Sequence, residues 1–218
     1  MHAAAGVMRV NTDHGTWVVP PGRGVWVPPG LGHDVHMVTA VQMRTLYIVR
    51  AALPRAPARS CVVPVSALLR ELILEALRLP RPYPLGGPAE RLFGVMLEQI
   101  RFEQVLPLHL PLTASASLRT LIDALQQDPS DARTLAAWGR TLHRSERTLA
   151  RAFRAQTGLT FAAWRTQLRL LRSLEGLAQG RSVTEVALDA GYDSTSAFIH
   201  VFRRHLGQTP SRYFDQAA

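Results

Sequence analysis

The sequence predicts an α+β chain: a β-rich N-terminal part, two connecting helices, and an all-α seven-helix domain with two helix-turn-helix units. Three observations predict it. Residues 6–50 contain short β-type runs punctuated by Pro and Gly. Residues 64–104 carry apolar residues at helical spacing. From Thr113 onward a helical pattern repeats itself at an offset of 49 residues. The expected boundaries are 1–58 for the β part, 59–110 for a helical connector and 111–218 for the all-α domain.

Thr16-Trp17-Val18-Val19, Val25-Trp26-Val27 and Leu46-Tyr47-Ile48-Val49 read as strands, because β-branched and aromatic residues fit a half-buried pleated surface. Residues 53–59 are rich in Pro and Arg and read as a connection. After Ser66, Leu68, Leu69, Leu72, Ile73, Ala76 and Leu77 predict a helix over 64–78, ended by Pro80, Pro82 and Pro84. A second helix, 88–104, begins at Pro88 and carries Leu92, Phe93, Met96, Leu97 and Ile100. The apolar faces of these helices either pair with a second subunit or pack onto the β part. Pro107 to Pro111 break the chain before the third zone. There, helices are expected at 115–127, 131–139, 145–156, 160–179, 182–190, 194–206 and 210–215. Asp131, Ser145, Thr160, Ser182 and Ser194 stand where N-caps belong.

The repeat pairs Ser145 with Ser194, Leu149 with Phe198, Phe153 with Phe202, Gly158 with Gly207 and Thr160 with Thr209. Each copy reads as a short helix, a turn, a capping Ser and a helix with apolar residues four apart. Gly191 suits the sharp turn of the second copy. With Leu149 and Phe153 turned inward, Glu146, Arg147, Ala150, Arg151 and Arg154 face out. With Phe198, Val201 and Phe202 inward, Thr195, Ser196, Ile199, His200 and Arg203 face out. Such faces fit a major groove, where Arg reads guanine and small residues permit close approach. These ten residues are the candidate contacts to double-stranded DNA. The helix at 160–179 would span about 30 Å, close to the roughly 34 Å between recognition helices on one face of a duplex. Trp164, Leu168, Leu171 and Leu174 can pack it against both units. Arg165, Arg169 and Arg172 either reach phosphates or are solvated.

Bulk composition agrees without deciding the matter. The formal net charge is +9, which favours a polyanionic partner. It is spread out, with 11 Arg against 7 acids in residues 1–112 and 14 against 9 in residues 113–218. All 25 basic residues are Arg, whose planar fork suits phosphate and guanine. Cys61 is the single cysteine, so no internal disulfide framework exists, and no nucleophile motif surrounds it. No apolar run reaches the roughly 18 residues a membrane span needs, and no segment reads as a secretory leader. The expected location is the cytoplasm.

The residues Ser182-Val183-Thr184-Glu185-Val186-Ala187, Gly191-Tyr192-Asp193-Ser194 and Ser196-Ala197-Phe198 resemble the second helix-turn-helix of the AraC/XylS family of transcription regulators. Phe202-Arg203-Arg204, Gly207 and Thr209-Pro210-Ser211-Arg212-Tyr213 resemble its closing motif. Arg147-Thr148-Leu149, Arg151, Phe153, Gly158, Phe161 and Trp164-Arg165 resemble the first unit and linker helix. The resemblance implies a domain that binds DNA as a monomer and recruits or obstructs RNA polymerase. Upstream, Gly22, Pro28, Gly30 and His33 follow the spacing of the second motif of cupin barrels, which such regulators carry as sensors. The first cupin motif would have to precede residue 6, where only His2 stands, and Met37 replaces the Asn that often ends the second. The resemblance therefore implies a partial β-barrel, cupin-like and truncated at its start, with exposed strand edges.

Trp17, Trp26, His33 and Tyr47 are the candidate walls of a pocket for a small organic effector. His33 and His36 offer two imidazoles, short of the three or four ligands of a stable metal site, so neither a metal nor a cofactor is expected. The competing readings are a cupin-type enzyme or metal-binding protein with an attached DNA-binding module, and a DNA-repair fusion. The first lacks the paired histidines and acid of the missing motif. The second would need a reactive cysteine cluster, and Cys61 stands alone. No catalytic residue is assigned.

Overall fold

A computed structural model describes residues 1–80, 82–102, 108–113 and 115–215. The N-terminal part forms two four-stranded antiparallel sheets. The first pairs β6 (Gln42–Arg44), β1 (His2–Ala5), β4 (Arg23–Trp26) and β7 (Cys61–Pro64) in that order. The second pairs β5 (Asp34–Met37), β2 (Met8–Thr12), β3 (Gly15–Val19) and β8 (His109–Pro111). They do not close into a barrel. Val7, Met8, Val10, Val19 and Val25 fill the space between them, each 2% exposed or less.

Two strands come from the stretch read as a helical connector. Cys61–Pro64 pairs with β4, and His109–Pro111 pairs with β3 across more than 90 residues of sequence, from Gly15↔Pro111 to Trp17↔His109. Strands of three or four residues that end on Pro carry little periodic signal, so only pairing reveals them. The reverse error occurs at Leu46–Val49. Leu46 and Ile48 pack inward while Tyr47 and Val49 are 95% and 72% exposed. That is the alternation of a strand, but the backbone has no ladder partner among the described residues, and the strand ends at Arg44. Gln42–Arg44 and Asp34–Met37 are strands instead.

The connecting helices are α1 (Ala67–Arg78) and α2 (Pro88–Glu98). Ser66 caps α1 through the Leu69 amide at 3.1 Å. Leu69, Ile73, Ala76 and Met96 pack with Leu53 and Ala56 into a second, smaller core. Leu68, Leu77 and Val95 stay exposed. The Arg55 guanidinium donates to the carbonyls of Leu97, Glu98 and Ile100, satisfying the acceptors that a helix end leaves open. α2 ends at Glu98 with Gln99 as its cap, so Gln99–Phe102 do not continue the helix expected to run to 104. Residues 103–104 and Pro107 lie outside the described residues.

Seven helices follow among the described residues: α3 (Ala116–Gln127), α4 (Leu135–Thr141), α5 (Glu146–Thr157), α6 (Phe161–Ala178), α7 (Val183–Asp189), α8 (Thr195–Leu206) and α9 (Pro210–Asp215). All the expected helices are present, and one start differs. Asp131 does not cap α4. Arg133 holds its carboxylate through the backbone amide at 2.8 Å and the guanidinium at 2.6 Å, and Thr134 caps the helix through the Ala137 amide. A competing local turn, closed by an ion pair, pushed the start three residues along.

One apolar cluster runs from the sheets through Leu108 and Leu110 into α3–α8. Polar contacts cross the same seam. Arg9 of β2 forms a bidentate pair with Glu175 of α6, at 2.7 and 2.8 Å. Trp164 of α6 donates to the Pro111 carbonyl at 2.8 Å, and Gln167 donates to the His109 carbonyl. The strands and helices are thus packed together rather than strung on a linker.

Candidate nucleic-acid interface

The two helix-turn-helix units are α4–α5 and α7–α8. Helices α5 and α8 are both 12 residues long and start 49 residues apart. Ser145 and Ser194 each cap their helix by accepting the amide three residues on, at 3.2 Å in both. Gly158 and Gly207 end them with left-handed backbones. Leu149, Phe153, Phe198 and Phe202 are at most 1% exposed, so the repeat marks the inward face. Val201, also assigned inward, is only half-buried.

The turns are not identical. In both units an amide reaches back five residues, Arg144 to the Gly139 carbonyl and Tyr192 to the Ala187 carbonyl. The residue before each donor is left-handed: His143 at φ 51° and Gly191 at φ 73°. These equivalent turn positions are 48 residues apart, and Asp193 restores the 49 before the next cap. A Cβ on Gly191 would stand 2.7 Å from the Ser130 Cα, so glycine there serves packing as well as backbone. His143 occupies the same conformation at a steric cost.

Of the ten candidate contacts, Glu146, Arg147, Ala150, Arg151, Arg154, Ser196, His200 and Arg203 are exposed. Thr195 and Ile199 are half-buried; Ile199 packs against the core, and the Thr195 hydroxyl faces that of Thr184 at 3.5 Å. A groove of about 760 Å³ lies beside α5 and the start of α6, with Arg151, Arg154 and Arg165 on its walls. All three linker arginines, Arg165 included, donate to backbone carbonyls. Arg165 donates to the Arg133 carbonyl at 3.1 Å, Arg169 to Pro129 at 2.9 Å and Arg172 to Gln126 at 3.1 Å. They brace the end of α3 and the turn after it, so they are not merely solvated. Spacing could not show this, since their carbonyl partners lie 32 to 46 residues away.

Comparison with known proteins bears on this geometry. A model described as "Helix-turn-helix domain" matches residues 138–216, and one described as "AraC-like ligand binding domain" matches residues 1–142. The chain belongs to the AraC family of DNA-binding transcription regulators. Within that family it is 35% identical to the HTH-type transcriptional regulator NimR of Escherichia coli (strain K12) over 211 residues, 97% of this chain and 77% of that protein. RipA of Corynebacterium glutamicum is 35% identical over 103 residues, 47% of this chain and 31% of that one. RhaR of Salmonella typhi is 32% identical over 127 residues, 57% and 45% respectively. The chain thus spans less than half the length of RipA or RhaR. The DNA-binding domain of AdpA, solved in complex with a target DNA, is 28% identical, with a TM-score of 0.44 over 47% of this chain and 93% of that one.

The four effector-pocket candidates of this AraC-family chain do not share one cavity. Trp17 lines a cavity of about 590 Å³ with His109, Ser60 and Cys61. Trp26, His33 and Tyr47 line another, of about 480 Å³. Pro28–Leu31 lies on the walls of both and divides them. Burial holds the His109 imidazole down at about 4, and pushes the Cys61 thiol up. His109, Ser60 and Arg59 were missed in sequence because they enter from segments read as connector. Among the described residues, no group of three or more His, Cys, Asp or Glu is placed to hold a metal, and no helix is long and apolar enough to cross a membrane.

Proposed function

We propose that the chain is a sequence-specific regulator that lays α5 and α8 into two adjacent major grooves of one duplex, with its N-terminal sheets tuned by a small organic effector. The observation that carries this reading is the pair of 12-residue helices with matching caps, cores and ends. An insertion that needs only one surface does not require the same frame twice. Glu146, Arg147, Ala150, Arg151 and Arg154 read one groove; Thr195, Ser196, Ile199, His200 and Arg203 read the other. The role is binding rather than catalysis, with transcription changed through RNA polymerase. A second copy pairs through the exposed Leu68, Leu77 and Val95 of the connecting helices.

Selection of bound sequences from a random duplex library, near physiological salt, tests the reading, because salt-sensitive phosphate contacts would otherwise mask base preference. Two enriched boxes about one helical turn apart are expected. Retention without any enriched sequence would refute it.

A further inference from the structure

The cavity between Trp17 and Cys61 is built unlike a packing defect. Trp17 is 2% exposed and Ser60 9%, yet the Trp17 Nε1 and Ser60 Oγ have no hydrogen-bond partner among the described residues. Buried donors are seldom left so, since an unpaired one costs the full loss of its hydration. Trp17 and His109 stack at 4.4 Å and 15°, giving the cavity a flat wall, and Pro28 and Pro29 also line it. Arg59 is on the lining, no Asp or Glu is among the described lining residues, and the Arg59 charge is felt at both Cys61 and His109. A cavity with a guanidinium on its wall and no carboxylate among its described lining residues attracts an anion and repels a cation.

The far wall is β8, whose side chains alternate across the strand. His109 faces this cavity, while Leu110 lines the cleft shared with Leu168 and Leu171 of α6. The carbonyls of His109 and Pro111 are held by Gln167 and Trp164. Trp164 in turn meets Phe153 of α5 edge-on at 5.7 Å. A group that moves His109 therefore moves the strand that seats the linker helix beside the first DNA-reading helix.

We propose that this cavity binds a small organic carboxylate with a flat apolar body, and that β8 conveys its occupancy to α6. The proposal rests on the reading of the chain as an effector-tuned regulator. Its test titrates the full chain calorimetrically with benzoate, cinnamate and hexanoate, each beside its neutral amide. At least one acid should bind tenfold or more tighter than its amide, and Arg59→Gln should erase that preference. No acid preference across the panel, or a preference that survives Arg59→Gln, overturns the site. The tighter acid should then change affinity for a selected duplex by about fivefold or more. In Gln167→Met the acid should still bind while the duplex response falls below twofold; an intact response overturns the β8 link. A chain that takes up the acid but binds no duplex refutes the regulator reading and leaves the cavity assignment standing.

Discussion

Separating Arg9 from Glu175 tests whether the sheets and the linker helix behave as one body. The pair joins residues 166 apart by two charge-assisted bonds of 2.7 and 2.8 Å. Glu175 is 10% exposed and Arg9 26%, which places the pair between two known regimes. Exposed pairs contribute about 0.2–1 kcal/mol, and breaking fully buried ones costs about 3–5 kcal/mol. A bidentate pair of intermediate exposure should give a coupling of about 2 kcal/mol. The single variants should differ. In Arg9→Met, Glu175 keeps Arg172 at 3.2 Å; in Glu175→Gln, two guanidiniums lose their counter-charge. The second should cost more, lowering the melting midpoint by about 4–8 °C at roughly 2–4 °C per kcal/mol for a chain of this size. Urea unfolding of the wild type, both singles and Arg9→Met with Glu175→Gln forms a double-mutant cycle. A coupling below about 0.5 kcal/mol would show that the seam is held by its apolar contacts alone.

Three further outcomes follow from particular residues. Arg151→Ala should cost about 1–3 kcal/mol of duplex affinity or relax one base position; unchanged affinity and selectivity in fluorescence anisotropy removes it from the interface. His143→Gly should raise stability by about 0.5–1 kcal/mol in urea, because glycine takes the left-handed turn without a Cβ clash, as Gly191 does in the other unit; a loss would mean the imidazole makes a stabilising contact. The His109 imidazole is held at about 4 against an ordinary 6.5, mainly by burial, so the unfolded chain takes up a proton that the fold refuses. Stability contributed by neutral His109 is complete above pH 6.5 and is lost as pH falls toward 4, by up to about 3 kcal/mol. The buried His2 ring is lowered in the same direction. His109→Gln should flatten that limb between pH 7 and pH 4.5, and an unchanged slope would place the acid sensitivity elsewhere.

The helical half was legible because its information is local. A 3.6-residue apolar period, a Ser or Thr three residues before the amide it caps, and a Gly at the ends of α5 and α8 all lie within one or two turns of the residues they organise. Repetition at 49 residues then sorted inward Phe153 and Phe202 from outward Arg151 and His200 without any knowledge of the fold. Ile199 escaped the sort because an apolar side chain at the edge of a face can lie either way. Asp131 misled because an Asx turn and an N-cap use the same side chain, and the choice fell to Arg133.

What only the tertiary structure decided concerns pairs far apart in the chain. β8 is three residues long and becomes a strand only because Thr16 and Trp17 offer it a ladder. Leu46–Val49 alternates like a strand yet joins no sheet edge among the described residues. Arg165, Arg169 and Arg172 look alike in sequence as a basic stripe, but the carbonyls they hold are set by how α3 turns into α4. The cavity is assembled from Trp17, Pro28, Ser60 and His109, brought together by sheet pairing across more than 90 residues. Local propensity and periodicity can be read from neighbouring residues, whereas hydrogen-bond partners and cavity walls depend on contacts that exist only once the chain has folded.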